Sequence, residues 1–313
     1  MSAAPLIEAF FDEPTNTITY LVADPATRQA AVIDPVLDFD AASGEADARS
    51  AQRILDAASA KGYCIVMVLE THAHADHLSA APFIKARTGA WIGIGEHIRD
   101  VQRIFRPVFA MDDLAIDGSD FDRLFADGEQ FTLGDLMIEV MHVPGHTPAD
   151  VAYRIGDAVF VGDTLFMPDY GTARADFPGG DARMLYRSIR RVLSLPEDTR
   201  LFLCHDYKAP GRDDFCWETT VGDERRHSVH VHDGVTEDAF VAMREARDAT
   251  LAAPKLLLPS IQVNVCAGRF PQAEANGVRY LKLPVRLSEA IVAVPARDAN
   301  QSISVRQLGA APR

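Results

Sequence analysis

Nothing in this sequence approaches the run of about 18 apolar residues that a membrane-spanning helix needs, so no segment is expected to cross a bilayer. The opening residues Met1-Ser2-Ala3-Ala4-Pro5-Leu6-Ile7-Glu8 lack the basic region and apolar stretch of a secretory signal, which makes the cytoplasm the expected location. Cysteine is sparse. Cys64, Cys204, Cys216 and Cys266 lie far apart without a CxxC pair, which argues against a disulfide framework or a structural zinc ribbon. Cys64 and Cys204 sit in apolar, strand-like runs and read as buried small hydrophobes. Basic residues are few: 31 Lys and Arg stand against 45 Asp and Glu, for a net charge of −14. With no basic stripe to meet phosphates, nucleic acid is not an expected partner, and an anionic substrate needs cations gathered locally against the overall field. The acidic stretch at residues 107–121 lacks the ligand spacing of an EF-hand and reads as a solvated loop.

A hydrophobic content of 48% over 313 residues supports a sizeable core, in two domains or in one large α/β domain with an extension. Strands are expected at residues 6–11, 17–22, 29–33, 65–69, 91–94, 130–133, 136–142, 151–155, 158–161 and 200–204. Helical spacing is expected at residues 45–61, 78–88, 96–105, 181–195 and 236–251, while residues 207–235 read as polar and loop-like.

Against this background one stretch stands out: Thr71-His72-Ala73-His74-Ala75-Asp76-His77 packs three imidazoles and a carboxylate into six residues. It directly follows the apolar run at residues 65–69, so these side chains lie where a buried strand opens into a loop. His146 in Pro144-Gly145-His146-Thr147, Asp163 in Gly162-Asp163-Thr164, and His205 after Leu201-Phe202-Leu203-Cys204 each follow or close another strand-like run. A lone histidine is more often a satisfied polar residue than a ligand. Four strand ends delivering His, Asp and His to one sheet edge instead point to an open metal centre, with ligands held by rigid elements.

The ordered set HxHxDH, PGHT, GD and a strand-ending His resembles the metallo-β-lactamase superfamily over residues 5–230. That resemblance implies an αββα four-layer sandwich, in which two mixed sheets face each other, helices lie outside, and metal binds at one edge. A C-terminal extension at residues 231–286 is expected to pack on this domain, followed by a partly disordered tail at 287–313. The superfamily pattern offers two metal positions: His72, His74 and His146 resemble the first set, Asp76, His77 and His205 the second, and Asp163 can bridge them.

The segments Gly171-Thr172-Ala173-Arg174-Ala175-Asp176, Asp181-Ala182-Arg183-Met184-Leu185-Tyr186 and Cys204-His205-Asp206-Tyr207 resemble the persulfide dioxygenases of this superfamily. Pro259-Ser260-Ile261-Gln262-Val263-Asn264 and Arg279-Tyr280-Leu281-Lys282 are similar to its longer bacterial subgroup. This resemblance implies one Fe(II) per chain held by His72, His146 and Asp163, with glutathione persulfide and O₂ as substrates. His74, Asp76, His77 and His205 then surround the iron or form a second metal position. A homodimer and a functional link to a separate sulfurtransferase stay open as partners. The alternative is a dinuclear-metal hydrolase of glutathione thioesters, similar to hydroxyacylglutathione hydrolase; a non-catalytic binding protein has no need of every metal-pattern residue. The hydrolases hold glutathione with a Lys/Arg-rich C-terminal region, whereas residues 236–251 offer only Arg244 and Arg247 among four acids. For an anionic tripeptide, Arg174 and Tyr207 are the leading substrate contacts, with Arg225, Arg226 and Arg269 behind them. Cys266-Ala267-Gly268-Arg269 resembles the start of a rhodanese loop, but Phe270-Pro271-Gln272 follows where that loop should close.

Overall fold

The computed structural model describes residues 4–288. Its first half is built from β1 (Leu6–Asp12), β2 (Thr17–Ala23), β3 (Gln29–Ile33), β4 (Val36–Asp40), β5 (Glu45–Asp47), α1 (Arg49–Ala60), β6 (Cys64–Leu69), β7 (Leu78–Ser79), α2 (Ala81–Thr88), β8 (Trp91–Gly95), α3 (Ile98–Val108) and β9 (Arg123–Phe125). The second half holds β10 (Gln130–Leu133), β11 (Leu136–His142), β12 (Val151–Ile155), β13 (Ala158–Phe160), α4 (Ala182–Val192), β14 (Arg200–Phe202), β15 (Glu218–Thr220), α5 (Val221–His227), α6 (Glu237–Asp248) and α7 (Leu257–Asn264). One sheet runs β1-β2-β3-β6-β8-β9 and the other β10-β11-β12-β13-β14-β15, with a small third sheet β5-β4-β7. Both large sheets are mixed. β3, β6, β8 and β9 are parallel, as are β13 and β14, while the remaining neighbours are antiparallel.

The side-chain alternation of a strand assigns the layers. Ile18, Tyr20 and Val22 of β2 point into the space between the sheets, where they meet Tyr153, Phe160 and Phe202 of the second sheet. Leu21 and Ala23 point the other way, into a cluster with Ile54 and Ala58 of α1, Ile84 of α2 and Val101 of α3. Beyond the second sheet, Ala152, Val159 and Leu201 pack with Leu185, Ile189 and Val192 of α4 and with Phe240 of α6. These clusters define the expected αββα layering.

Local chemistry moved several element boundaries. The helix expected at residues 78–88 starts only at Ala81, because Leu78 and Ser79 pair with β4 and Pro82 occupies the first turn, where no N–H is needed. Likewise Glu45–Asp47 pairs with β4 as β5, so α1 begins at Arg49. The segment read as loop-like at residues 207–235 holds β15 and α5, whose Thr220 cap accepts from the Asp223 amide. Helix α3 extends through Pro107 to Val108, into the stretch expected to be a loop. Cys64 is exposed at the start of β6 rather than buried; Cys204 is buried as expected.

One compact unit runs up to Lys282 and so includes α6 and α7, and a second unit begins at Leu283. Most of the tail expected at 287–313 lies outside the described residues. No helix among the described residues is long and apolar enough to cross a membrane.

Candidate metal centre

The loop that leaves β6 carries His72, His74, Asp76 and His77, and the three histidines are buried. His146 arrives on the loop between β11 and β12, Asp163 on the loop after β13, and His205 just past β14. Two glycines permit this convergence. Gly145 has φ 145°, and a Cβ there would stand 2.3 Å from backbone atoms of Leu185, so only glycine lets α4 approach the His146 loop. Gly162 has φ 53°, and a Cβ there would meet the Thr71 hydroxyl at 2.7 Å, directly beside His72.

Ring orientations are fixed from outside the centre. Thr71 Oγ1 donates to Asp34 at 2.9 Å, leaving its oxygen to accept from His72 Nδ1 at 3.0 Å. His146 Nδ1 donates to the Arg174 carbonyl at 2.8 Å, and His205 Nδ1 to the Asn16 carbonyl at 3.1 Å. Since a carbonyl only accepts, these rings carry their protons on Nδ1 and turn a lone pair on Nε2 inward. His74 is reversed, with Nε2 bonded to Asp34 Oδ1 at 3.0 Å.

The inward atoms lack partners. His72 Nε2, His74 Nδ1, His77 Nε2, His205 Nε2 and Asp163 Oδ1 are buried without a hydrogen bond. Unsatisfied polar atoms are costly singly, and five together require a shared partner. His146 Nε2 stands 3.6 Å and His72 Nε2 4.0 Å from Asp163 Oδ2, while His205 Nε2 lies 3.3 Å from both Asp163 Oδ1 and Asp76 Oδ2. Donors bound at about 2.0–2.2 Å to one ion stand roughly 3–4.4 Å apart, so the residues fit a metal. Donor atoms of His72, His146 and Asp163 all lie within 4.8 Å of one another, as do those of His74, Asp76 and His77.

Electrostatics follow burial and proximity. Burial, then the nearby His74 and His146, pushes the His72 pKa well below that of free imidazole, toward the neutral form that ligates metals. Burial likewise lowers His77. For His74 burial works against the charge, but Asp34 and Glu70 outweigh it and raise its pKa well above the ordinary value.

A cavity of about 380 Å³ opens onto His146, Asp163 and Asp76, with Phe166, Tyr170 and Tyr207 along its wall. Four cations line it: Arg174, Arg244, Arg247 and Lys255. Arg174 is at the site, yet its guanidinium is bidentate to Asp176 at 2.5 and 2.7 Å and also donates to the Ala252 carbonyl. Arg244 is buried against Asp248. Arg247 and Lys255 have no ion-pair partner among the described residues; Arg247 only borders the Tyr170 ring at 6.0 Å.

Tyr207 lines the cavity, whereas Arg225, Arg226 and Arg269 do not. Arg225 pairs with Asp233, Arg226 with Glu197 and Asp223, and Arg269 with Asp120. Of the two arginines within residues 236–251, Arg244 is paired with Asp248 while Arg247 lines the cavity, so a count of the four acids does not tell which charge is available. Asp34, Glu70 and Asn264 were not foreseen: Asp34 and Asn264 reach the loop across more than 30 residues, with no local spacing to signal them, whereas Glu70 stands just past β6, four residues before His74.

The chain belongs to the metallo-beta-lactamase superfamily, whose family model matches residues 13–205. It is 55% identical over 290 residues to a probable metallo-hydrolase of Burkholderia pseudomallei, covering 89% of this chain and 98% of that protein. It is 43% identical to glyoxylase B2 of Dictyostelium discoideum, covering 91% and 98%. The mitochondrial persulfide dioxygenase ETHE1 of Homo sapiens is 31% identical, over 66% of this chain and 70% of that one. The crystal structure of ETHE1 from Myxococcus xanthus is similar with a TM-score of 0.68 and 31% identity, covering 84% of this chain and all of that one. The sequence and structural likeness to the two ETHE1 proteins supports the persulfide dioxygenase branch.

Proposed function

We propose that the chain is an iron-dependent persulfide dioxygenase acting on glutathione persulfide. The observation that carries this reading is the closure of His72, His146 and Asp163 into one buried face of two imidazoles and one carboxylate. Fe(II) held there would supply redox chemistry toward O₂ together with open positions for sulfur and oxygen, which is the use this ligand set has among non-haem iron oxygenases. In the overall reaction glutathione persulfide, O₂ and water give glutathione, sulfite and two protons. The sulfur–sulfur bond breaks, the terminal sulfur loses four electrons to O₂, and the thiol sulfur leaves with a proton.

The chain's own residues do the positioning. Arg247 and Lys255, without ion-pair partners among the described residues, offer charge to the carboxylates of the tripeptide beside the metal edge, meeting the need for local cations that the net charge creates. Phe166 meets the rings of Tyr170 and Tyr207 edge-on, with the two tyrosine centroids 5.2 Å apart, and this aromatic wall shields the sulfur end from bulk water. Thr71 and the Arg174 carbonyl hold the rings of His72 and His146 in the ligating tautomer.

A second reading is a dinuclear hydrolase of glutathione thioesters. It is favoured by the inward, unpartnered nitrogens of His74, His77 and His205 beside Asp76. Metal content of the purified protein and its variants separates the two. The dioxygenase reading expects about one iron per chain, lost in His72→Ala, His146→Ala or Asp163→Ala and largely kept in His77→Ala. Two zinc ions per chain, halved by His77→Ala, would establish the hydrolase instead.

A further inference from the structure

We infer that Asn264, on α7 and outside the segment that matches the family, is a positioning residue for the metal-binding loop. The inference rests on the metal centre, and not on which reaction that centre carries out. Within residues 72–77 the loop has no backbone-to-backbone hydrogen bond of its own. Asn264 takes over that role. Its Nδ2 donates to the carbonyls of His74 and His77, both at 2.8 Å, and its Oδ1 accepts from the Ser79 amide at 2.9 Å. One buried side chain thus uses both donors and its acceptor to fix the stretch from His74 to Ser79. In turn the Ser79 hydroxyl donates to Glu70, the carboxylate that lies 3.5 Å from His74 Nε2.

The neighbouring turn shows that the fit is close. Gly268 has φ 80°, and a Cβ there would stand 2.9 Å from the Ser79 carbonyl and 2.6 Å from Pro82. Ile261 and Val265 bury the adjoining face of α7 in the core shared with α2, so the amide is presented from a packed helix. A rigid donor pair reaching two ligand-bearing residues from 187 and 190 residues away restricts where their rings can stand before metal arrives.

The test is cobalt(II) affinity of the full chain, read by competition with a chromophoric chelator and by the visible absorption bands of the bound ion. Asn264→Asp keeps the acceptor, removes both donors and faces two carbonyls with a carboxylate. It should weaken cobalt binding about 10- to 100-fold and shift the absorption bands, the size expected when support around ligands is lost. Gln262→Ala removes bonds from the same helix to Leu258 and Lys282, and should lower the melting temperature of the metal-free protein with affinity unchanged. Unchanged affinity and bands in Asn264→Asp, or an equal loss in Gln262→Ala, would overturn the inference. If Asn264→Asp does not fold, Asn264→Ser is measured in the same way, and wild-type affinity there overturns it as well. Wild-type protein that binds no cobalt would instead remove the metal centre itself.

Discussion

His72, His146 and His205 each commit Nδ1 to a fixed oxygen acceptor, so the lone pair on Nε2 is aimed before any ion binds. Such residues were legible in the sequence because HxHxDH sets its donors within one loop and the other ligands end apolar strands. The cations proposed to meet the substrate were not legible, because whether a charge is available depends on its partners in the fold. Arg174 is occupied by Asp176, two residues away, while Arg247 of α6 lines the cavity without an ion-pair partner among the described residues. Arg247→Ala is accordingly expected to raise the KM for glutathione persulfide about tenfold with kcat within about twofold, the loss of a charge-assisted bond worth about 1.5–3 kcal/mol. Arg174→Ala should change KM less than about threefold. Steady-state kinetics on iron-replete variants checks both, and the reverse order would place the carboxylates on Arg174.

At the level of elements, α6 secures the His146 side of the centre. Arg244 is 1% exposed and donates through Nε to Asp248 at 2.9 Å and through Nη1 to the Thr172 carbonyl at 3.0 Å. Asp248 in turn accepts from the Ala175 amide, next to the carbonyl that orients His146. Removing one partner strands a buried charge, so Asp248→Ala should cost about 3–5 kcal/mol in urea unfolding. The double variant Arg244→Met with Asp248→Leu should lose clearly less; equal losses would mean that the pair is not what holds the loop. The long apolar strands and amphipathic α1, α4 and α6 were readable from periodicity, whereas β4, β5 and β7 were not. Their pairing places polar residues such as Asp38, Asp40, Glu45 and Asp47 in short strands whose only signal is the partner.

For the molecule as a whole, one buried group ties stability to pH. Glu224 of α5 is fully buried with neither carboxylate oxygen hydrogen-bonded, and burial raises its pKa to about 8. An unfolded glutamate releases its proton near 4.5, so between these values the folded state holds the extra proton. The stabilising contribution is therefore complete below about 4.5, falls as pH rises through this window, and is gone above about 8. Glu224→Gln should gain melting temperature relative to wild type progressively from pH 5 to 8.5; an offset that does not vary with pH would contradict this. The proposed reaction is the oxidation of glutathione persulfide by O₂. Its most direct test follows oxygen with an electrode while sulfite is measured in the same vessel, using iron-replete protein and glutathione persulfide. One sulfite is expected per O₂ consumed, with thioester hydrolysis at background; rapid hydrolysis of a glutathione thioester without oxygen, and no oxygen uptake with the persulfide, would contradict this reaction.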